Sequence, residues 1–327
     1  LSGQYRVRWF EQGDLDAYMR GLNESLYDEY DEARFRWKMV ETPYSLGFVS
    51  IVAVEYEGEP VAFNSFLPLR VERGDEVFQI VQGCDGFVEP AHRRMGLFQE
   101  TLKFMFKELG GRGPEMLVGF NFSGSAGAAQ KVGSALTGDF HALVAKPFEL
   151  VKLKVAGEES VDVTPCSLEE MHRLHEAWAK TATRLHIQKT PAYLRWRYSH
   201  PIRRSSFYRI RDGEQTGYAA VSVERDKDSN TLFLEDYSPI LHSPRAAMAL
   251  IRRVLDSGEP FHEVYLTEAV GSKMYSVAEQ LGFTPDHAYT MIQRNISGIE
   301  ERDGRLYKRG MELTGVDNWY VTSCDVF

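Results

Sequence analysis

The sequence predicts an α/β (α+β) protein made of two like units, each a mixed, strongly twisted sheet flanked by helices, with a C-terminal tail. Three observations carry that reading. An apolar–basic–Trp–basic helix end occurs twice, Phe35-Arg36-Trp37-Lys38 before Pro43 and Leu194-Arg195-Trp196-Arg197 before Pro201. A run of short β segments with turn residues between them follows each proline. Each half then continues as helix, apolar strand, helix and strand. A duplicated order of elements constrains an architecture more firmly than any single motif.

In the first half the strands are 51–56, a turn at Glu57-Gly58, 61–67, a turn at Arg73-Gly74-Asp75, and 77–81. Met95, Phe98, Leu102, Met105 and Leu109 then recur near helical spacing, and Gly110-Gly111 ends that helix. A strand at 116–120 and a helix ending near Gly133 follow. The second half repeats this with strands 207–211, 218–224 and 231–236, turns at Asp212-Gly213 and 226–230, a strand at 264–267 and a helix ending near Gly282. Before them the spacing predicts a helix over 168–181. The polar run Gly157-Glu158-Glu159-Ser160 marks the link, giving units 1–155 and 156–297. Residues 298–327 form the tail, with turn signals at Asp303-Gly304 and Arg309-Gly310 and an aromatic pair at Trp319-Tyr320, and it is expected to pack on the units, with docking as a strand one way to do so.

The 327 residues are 43% hydrophobic and 26% charged, which excludes a disordered chain or a disulfide miniprotein. A formal charge of −9 disfavours nucleic acid or an anionic membrane as partner and favours a cationic or amine-bearing one. Cys84, Cys166 and Cys324 are odd in number and widely spaced, so they read as reduced packing thiols of a cytoplasmic protein. No stretch reaches the ~20 apolar residues of a membrane span. His172 and His175 lie three apart on the predicted helix with no third ligand nearby, so no metal is expected and a solvated face is the plainer account. The run 27–32 reads as a solvated acidic stretch, Arg203-Arg204 as too small a basic pair for a nucleic-acid footprint, and Trp37 and Trp196 as anchors in their own cores.

One segment reads as a ligand site. Residues 85–99 set a strand end, Pro90 and the basic turn Arg93-Arg94-Met95-Gly96 directly before a helix. Free amides at a helix start favour an anion, the arginines add charge, and Gly96 lets backbone approach closely. Arg93, Gly96 and Phe98, preceded by Val88 and Pro90, resemble motif A of the GNAT N-acetyltransferase superfamily, and Leu281-Gly282-Phe283 resembles its common ending before the last strand. Phe98 departs from the usual small residue. The second half, from Ser238 to Ala246, lacks a correctly placed glycine, so one site is expected, in the first of two acetyltransferase-like modules.

The resemblance implies acetyl-CoA as co-substrate and a small-molecule amine as acceptor. Its pyrophosphate would lie on the backbone of Arg93, Arg94, Met95, Gly96, Leu97 and Phe98, its pantetheine arm beside Phe87 and Val88, with Asn121 and Ser125 orienting CoA or a water. Asp85 is the candidate proton acceptor, against a plain turn role. The chain's terminal carboxylate at Phe327 is a second candidate. The family's usual proton-donating Tyr is missing from 121–131. Two other readings stay open: a non-catalytic CoA-binding protein and an aminoacyl-tRNA-dependent transferase.

Overall fold

The structure, a computed structural model, describes residues 4–27, 29–225 and 230–326. The first half runs β1 (Tyr5–Trp9), α1 (Leu15–Ser25), α2 (Glu32–Phe35) passing into a π-helical turn at Arg36–Val40, β2 (Ile51–Tyr56), β3 (Glu59–Arg73), β4 (Glu76–Val88), α3 (Leu97–Leu109), β5 (Met116–Asn121), α4 (Ser123–Lys131), β6 (Ala135–Ala145) and the single turn α5 (Pro147–Leu150). The second half runs β7 (Asp162–Cys166), α6 (Leu168–Ala179), β8 (His186–Ile187), α7 (Pro191–Arg197), β9 (Arg203–Asp212), β10 (Gln215–Arg225), β11 (Asn230–Tyr237), α8 (Pro244–Leu255), β12 (Glu263–Ala269), α9 (Lys273–Gln280) and β13 (Thr284–Asn295). Local chemistry sets several helix starts. Ser167, Thr190 and Ser272 each accept a hydrogen bond from the amide three residues on, and Pro191 and Pro244 stand where a first-turn helix needs no N–H.

Sequence periodicity overlooks β1 and β7. Both are short edge strands with alternating polar residues and little full burial, β1 pairing with β2 and β7 with β9. The expected turn at 226–230 lies mostly outside the described residues. Met95, expected on the buried face of α3, is 58% exposed on the loop before it, and Leu97 begins that face instead.

The strands join one mixed sheet in the order β1-β2-β3-β4-β5-β13-β6-β12-β11-β10-β9-β7, with β8 attached beside β3. The last strands of the halves interlock at its centre. β13 lies antiparallel between β5 and β6, with Thr290 opposite Asn121, and β6 in turn pairs antiparallel with β12, with Val264 opposite Ala145. Separating the halves would therefore break backbone ladders as well as side-chain contacts.

The two Trp residues do not anchor separate cores. Trp37 and Trp196 stack on each other, centroids 5.3 Å apart and 15° from parallel, and each indole N–H donates to the other's carbonyl at 2.7 and 2.6 Å. Such reciprocity is the mark of an approximate two-fold relation. Beside them, Lys38 pairs with Asp85 at 2.7 Å and Arg197 with Glu235 at 2.9 Å, so the duplicated basic residue meets an acid in both halves.

After β13 the tail forms a small sheet of its own, β14 (Glu300–Arg302), β15 (Arg305–Lys308) and β16 (Met311–Glu312). Its two turns place Asp303-Gly304 and Arg309-Gly310 in left-handed backbone, as tight hairpins require. Trp319 then bridges Leu185, and a 3-10 turn at Ser323–Asp325 closes the described chain against β11 and β12. None of the described helices is long and apolar enough to cross a membrane.

Candidate active site

The site begins with a break in the sheet. β4 and β5 pair as parallel strands only from Ile80–Met116 to Gly83–Gly119, after which β4 continues to Val88 without β5. A bulge drives the separation: Ser65 faces Cys84 and Phe63 faces Phe87, so Asp85 and Gly86 together oppose Asn64. Asp85 takes a left-handed φ of 42°, which a short polar side chain tolerates. Gly86 is needed because a Cβ there would sit 3.1 Å from Asn64 Oδ1 and 3.3 Å from the Phe98 ring.

Between the parted strands opens a cavity of about 420 Å³. Asn64, Asp85, Phe98, Asn121 and Ser125 line it from the first half, and Arg203, Phe233, Tyr265, Thr267 and Tyr289 from the second. Ser323 and Val326 reach it from the tail. Phe327 lies outside the described residues. Asn121 turns a buried side-chain oxygen with no hydrogen-bond partner among the described residues, whereas the Ser125 hydroxyl is spent on the carbonyl of Phe122 at 3.0 Å.

Phe87, Val88, Arg93, Arg94, Met95, Gly96 and Leu97 do not line this cavity. Phe87 points its ring the other way, into the packing of Phe63 and against Gly21, so only its backbone belongs to the strand end. Arg93 folds back, its Nε donating to the Val88 carbonyl at 2.9 Å. Arg94 and Gly96 both have left-handed backbone, φ 65° and 77°. Gly96 opens α3, and the amides from Arg94 to Phe98 donate no hydrogen bond among the described residues. Five successive free N–H groups in a left-handed turn at a helix start form a concave donor surface for an anion.

Asp85 is not a free carboxylate. One oxygen lies 2.7 Å from the Lys38 ammonium and the other accepts from the Tyr27 hydroxyl at 2.6 Å. Burial disfavours the Lys38 charge, but Asp85 together with Cys84, Tyr27 and Tyr30 outweighs it and holds the Lys38 pKa above its ordinary value. Burial, and then the Asp85 charge, push the Tyr27 pKa up, so the phenol stays protonated. Burial likewise drives the adjacent Cys84 thiol up to about 12, leaving it a packing thiol. The run 27–32, expected to be solvated, thus turns Tyr27 and the buried Tyr30 inward. Arg203 binds Glu224 and Glu235 and lies 4.2 Å over the Phe233 ring, so it is a wall of the cavity rather than a surface pair.

The equivalent place in the second half is filled by protein. β11 and β12 pair only from Thr231–Glu263 to Phe233–Tyr265, and the tail enters the gap beyond. There the Thr267 amide donates to the Ser323 hydroxyl at 2.7 Å, Thr322 reaches Asp236, and Arg197 Nε donates to the Cys324 carbonyl at 3.0 Å.

This doubled architecture is similar in fold to solved GCN5-related N-acetyltransferases, among them a tandem GNAT protein. No family model matches the chain, and no curated protein does. Among solved structures, a GCN5-related N-acetyltransferase from Anabaena variabilis ATCC 29413 superposes with a TM-score of 0.63 at 13% identity, covering 94% of this chain and 84% of that one. A GCN5-related N-acetyltransferase from Kribbella flavida gives 0.61 at 14% identity, covering 96% and 84%. A tandem GNAT protein from the clavulanic acid biosynthesis pathway gives 0.60 at 12% identity, covering 89% and 98%.

Proposed function

We propose that the chain is an acyl-CoA-dependent N-acyltransferase, transferring an acetyl group from acetyl-CoA to the amine of a small molecule by direct attack in a ternary complex. In this reading units 1–155 and 156–297 are two acetyltransferase-like modules, the first holding acyl-CoA and the second, with tail 298–327, closing the acceptor side. The observation that carries the reading is the row of free amides from Arg94 to Phe98 beside an open strand gap. The amides receive the pyrophosphate, and the unpaired edge of β4 near Val88 receives the pantetheine arm. Asn121 offers its free acceptor oxygen to an amide N–H of that arm.

The reaction forms an amide C–N bond and breaks the thioester C–S bond, and the amine must lose a proton. An alkyl ammonium with a pKa of ~10 is about one part in a thousand free base at neutral pH. Protonating Asp85 would break its pair with Lys38, so its geometry supports a role in fixing Tyr27 at the cavity wall over that of proton acceptor. The missing phenol has a replacement from the other half. Tyr289 on β13 packs 5.0 Å from Phe122 at the start of α4, and its hydroxyl makes no hydrogen bond among the described residues. Burial raises its pKa, so it keeps its proton for the departing thiolate, while the proton lost by the amine passes to bulk water, from which the Tyr289 phenolate is reprotonated.

The test is calorimetric titration with acetyl-CoA. Gly96→Glu should lower affinity at least tenfold, because it puts a carboxylate where the pyrophosphate lies. Gly96→Ala meets the same backbone strain without the charge and separates the two effects. Equal affinity of wild type and Gly96→Glu, both folded, rejects the site.

A further inference from the structure

Away from the cleft, where β8 attaches to the end of β3, three potential metal ligands from distant parts of the sequence converge. Glu72 ends β3, His186 lies directly opposite it on β8, and His175 comes from α6. One ligating atom of each lies within 4.8 Å of the other two, and His186 Nε2 is 3.3 Å from Glu72 Oε1. The imidazoles are 2% and 1% exposed, and neither Nε2 has a hydrogen-bond partner among the described residues.

The outer atoms of all three are already held. His186 Nδ1 faces the Arg184 carbonyl at 3.1 Å, an acceptor only, so this nitrogen carries a proton and Nε2 is left facing the Glu72 carboxylate oxygen. His175 Nδ1 meets the Tyr218 hydroxyl at 2.9 Å, and the second Glu72 oxygen accepts from Gln188 Nε2 at 2.9 Å. Bonding the non-ligating atom of each residue is how proteins aim metal ligands. Two buried ring nitrogens and a carboxylate oxygen thus converge on one point, an arrangement that a bound cation satisfies. The Lys189 ammonium lines the adjoining cavity. Lys189 itself is occupied by Asp236 at 2.7 Å and Asp325 at 3.7 Å.

We propose that Glu72, His175 and His186 bind a divalent first-row transition-metal ion, with zinc as the reference case. Metal–ligand bonds of ~2.0–2.2 Å in tetrahedral geometry set ligand atoms roughly 3.3 Å apart, the separation already present between His186 and Glu72. Closing the rest takes side-chain movement of up to about 1.5 Å, the difference between the 4.8 Å within which all three atoms lie and that separation. The fourth position faces an adjoining cavity of about 320 Å³ that includes His172 and Glu176, leaving room for water. Because Glu72 belongs to the first half and both histidines to the second, the ion clamps the halves together. The sequence pair His172 and His175 misses this site: His175 takes its partners from 11 and 103 residues away, not from its own helix.

The test is titration of the metal-stripped full chain with Zn²⁺, followed by calorimetry, and with Co²⁺ as a spectroscopic probe. Wild type should bind one equivalent, gain thermal stability, and show d–d absorption of a four- or five-coordinate Co²⁺ site. Tyr218→Phe, which removes only an outer hydroxyl, should weaken Zn²⁺ about 10–100-fold. Glu72→Gln, on a partly exposed side chain, and His186→Asn should abolish the site. Should His186→Asn fail to fold, Glu72→Gln alone decides. Absence of Zn²⁺ binding by folded wild type overturns the proposal, as does unchanged binding in Glu72→Gln.

Discussion

Replacing Lys38 by Met tests how the cleft is held open. The Lys38 and Asp85 side chains are 7% and 2% exposed and 2.7 Å apart. Removing the ammonium leaves a buried carboxylate whose remaining partner is the Tyr27 hydroxyl. Breaking such a pair from one side costs about 3–5 kcal/mol, mainly the cost of an uncompensated charge. Lys38→Met/Asp85→Asn removes both charges, and Asn tolerates the left-handed backbone at 85, so the double variant should recover most of that loss. The assay is urea unfolding at pH 7, with acetyl-CoA affinity read in parallel. The pH window follows from the direction of the Lys38 shift. Its folded pKa is raised, so its contribution is complete below the unfolded value of ~10.4 and is lost only as pH rises through the higher folded value. Between pH 6 and 9 the Lys38 contribution to wild-type stability should therefore be flat. A loss below about 1 kcal/mol, or a double variant no more stable than the single, would refute the account of Asp85 as an anchored charge.

Glu268 predicts a pH dependence of the same sign at lower pH. It is fully buried, accepts from the Tyr237 and Ser272 hydroxyls, and burial raises its pKa from an ordinary 4.5 to about 8. Folding thus takes up a proton between those values, and stability should fall by roughly 1.4 kcal/mol per pH unit as pH rises from 4.5 to 8. Glu268→Gln should flatten that slope and unfold at higher temperature than wild type at pH 8.5; a slope unchanged in the variant rules out Glu268 as its source. For the chemistry, Tyr289→Phe should reduce acetyl transfer at least tenfold with acetyl-CoA affinity intact, measured once an amine acceptor is found; full turnover would remove Tyr289 as proton donor.

Local features were readable in the chain because they are short-range. The turn 93–96 and helix 97–109 declare themselves through a proline, adjacent arginines, a glycine and an apolar period, all within one stretch. The doubled Trp–basic pattern likewise announced two related units, and the Gly pairs of the tail announced its hairpins. Edge strands β1 and β7 escaped because polar alternation with little burial leaves only a weak period.

Amino-acid order by itself determined the element types, the duplication and the helix-opening loop, since these depend on contacts within about a dozen residues. Only the tertiary structure decided which strand lies beside which. An apolar period says that a strand will be buried, not what its neighbour is, so the passage of β13 to the side of β5 was invisible. With it went Tyr289 at the cleft, the Lys38 ammonium on Asp85, the tail within the second gap, and the meeting of Glu72 with His175 and His186. Each depends on groups brought together across tens to hundreds of residues by burial and backbone pairing, which a linear pattern does not encode.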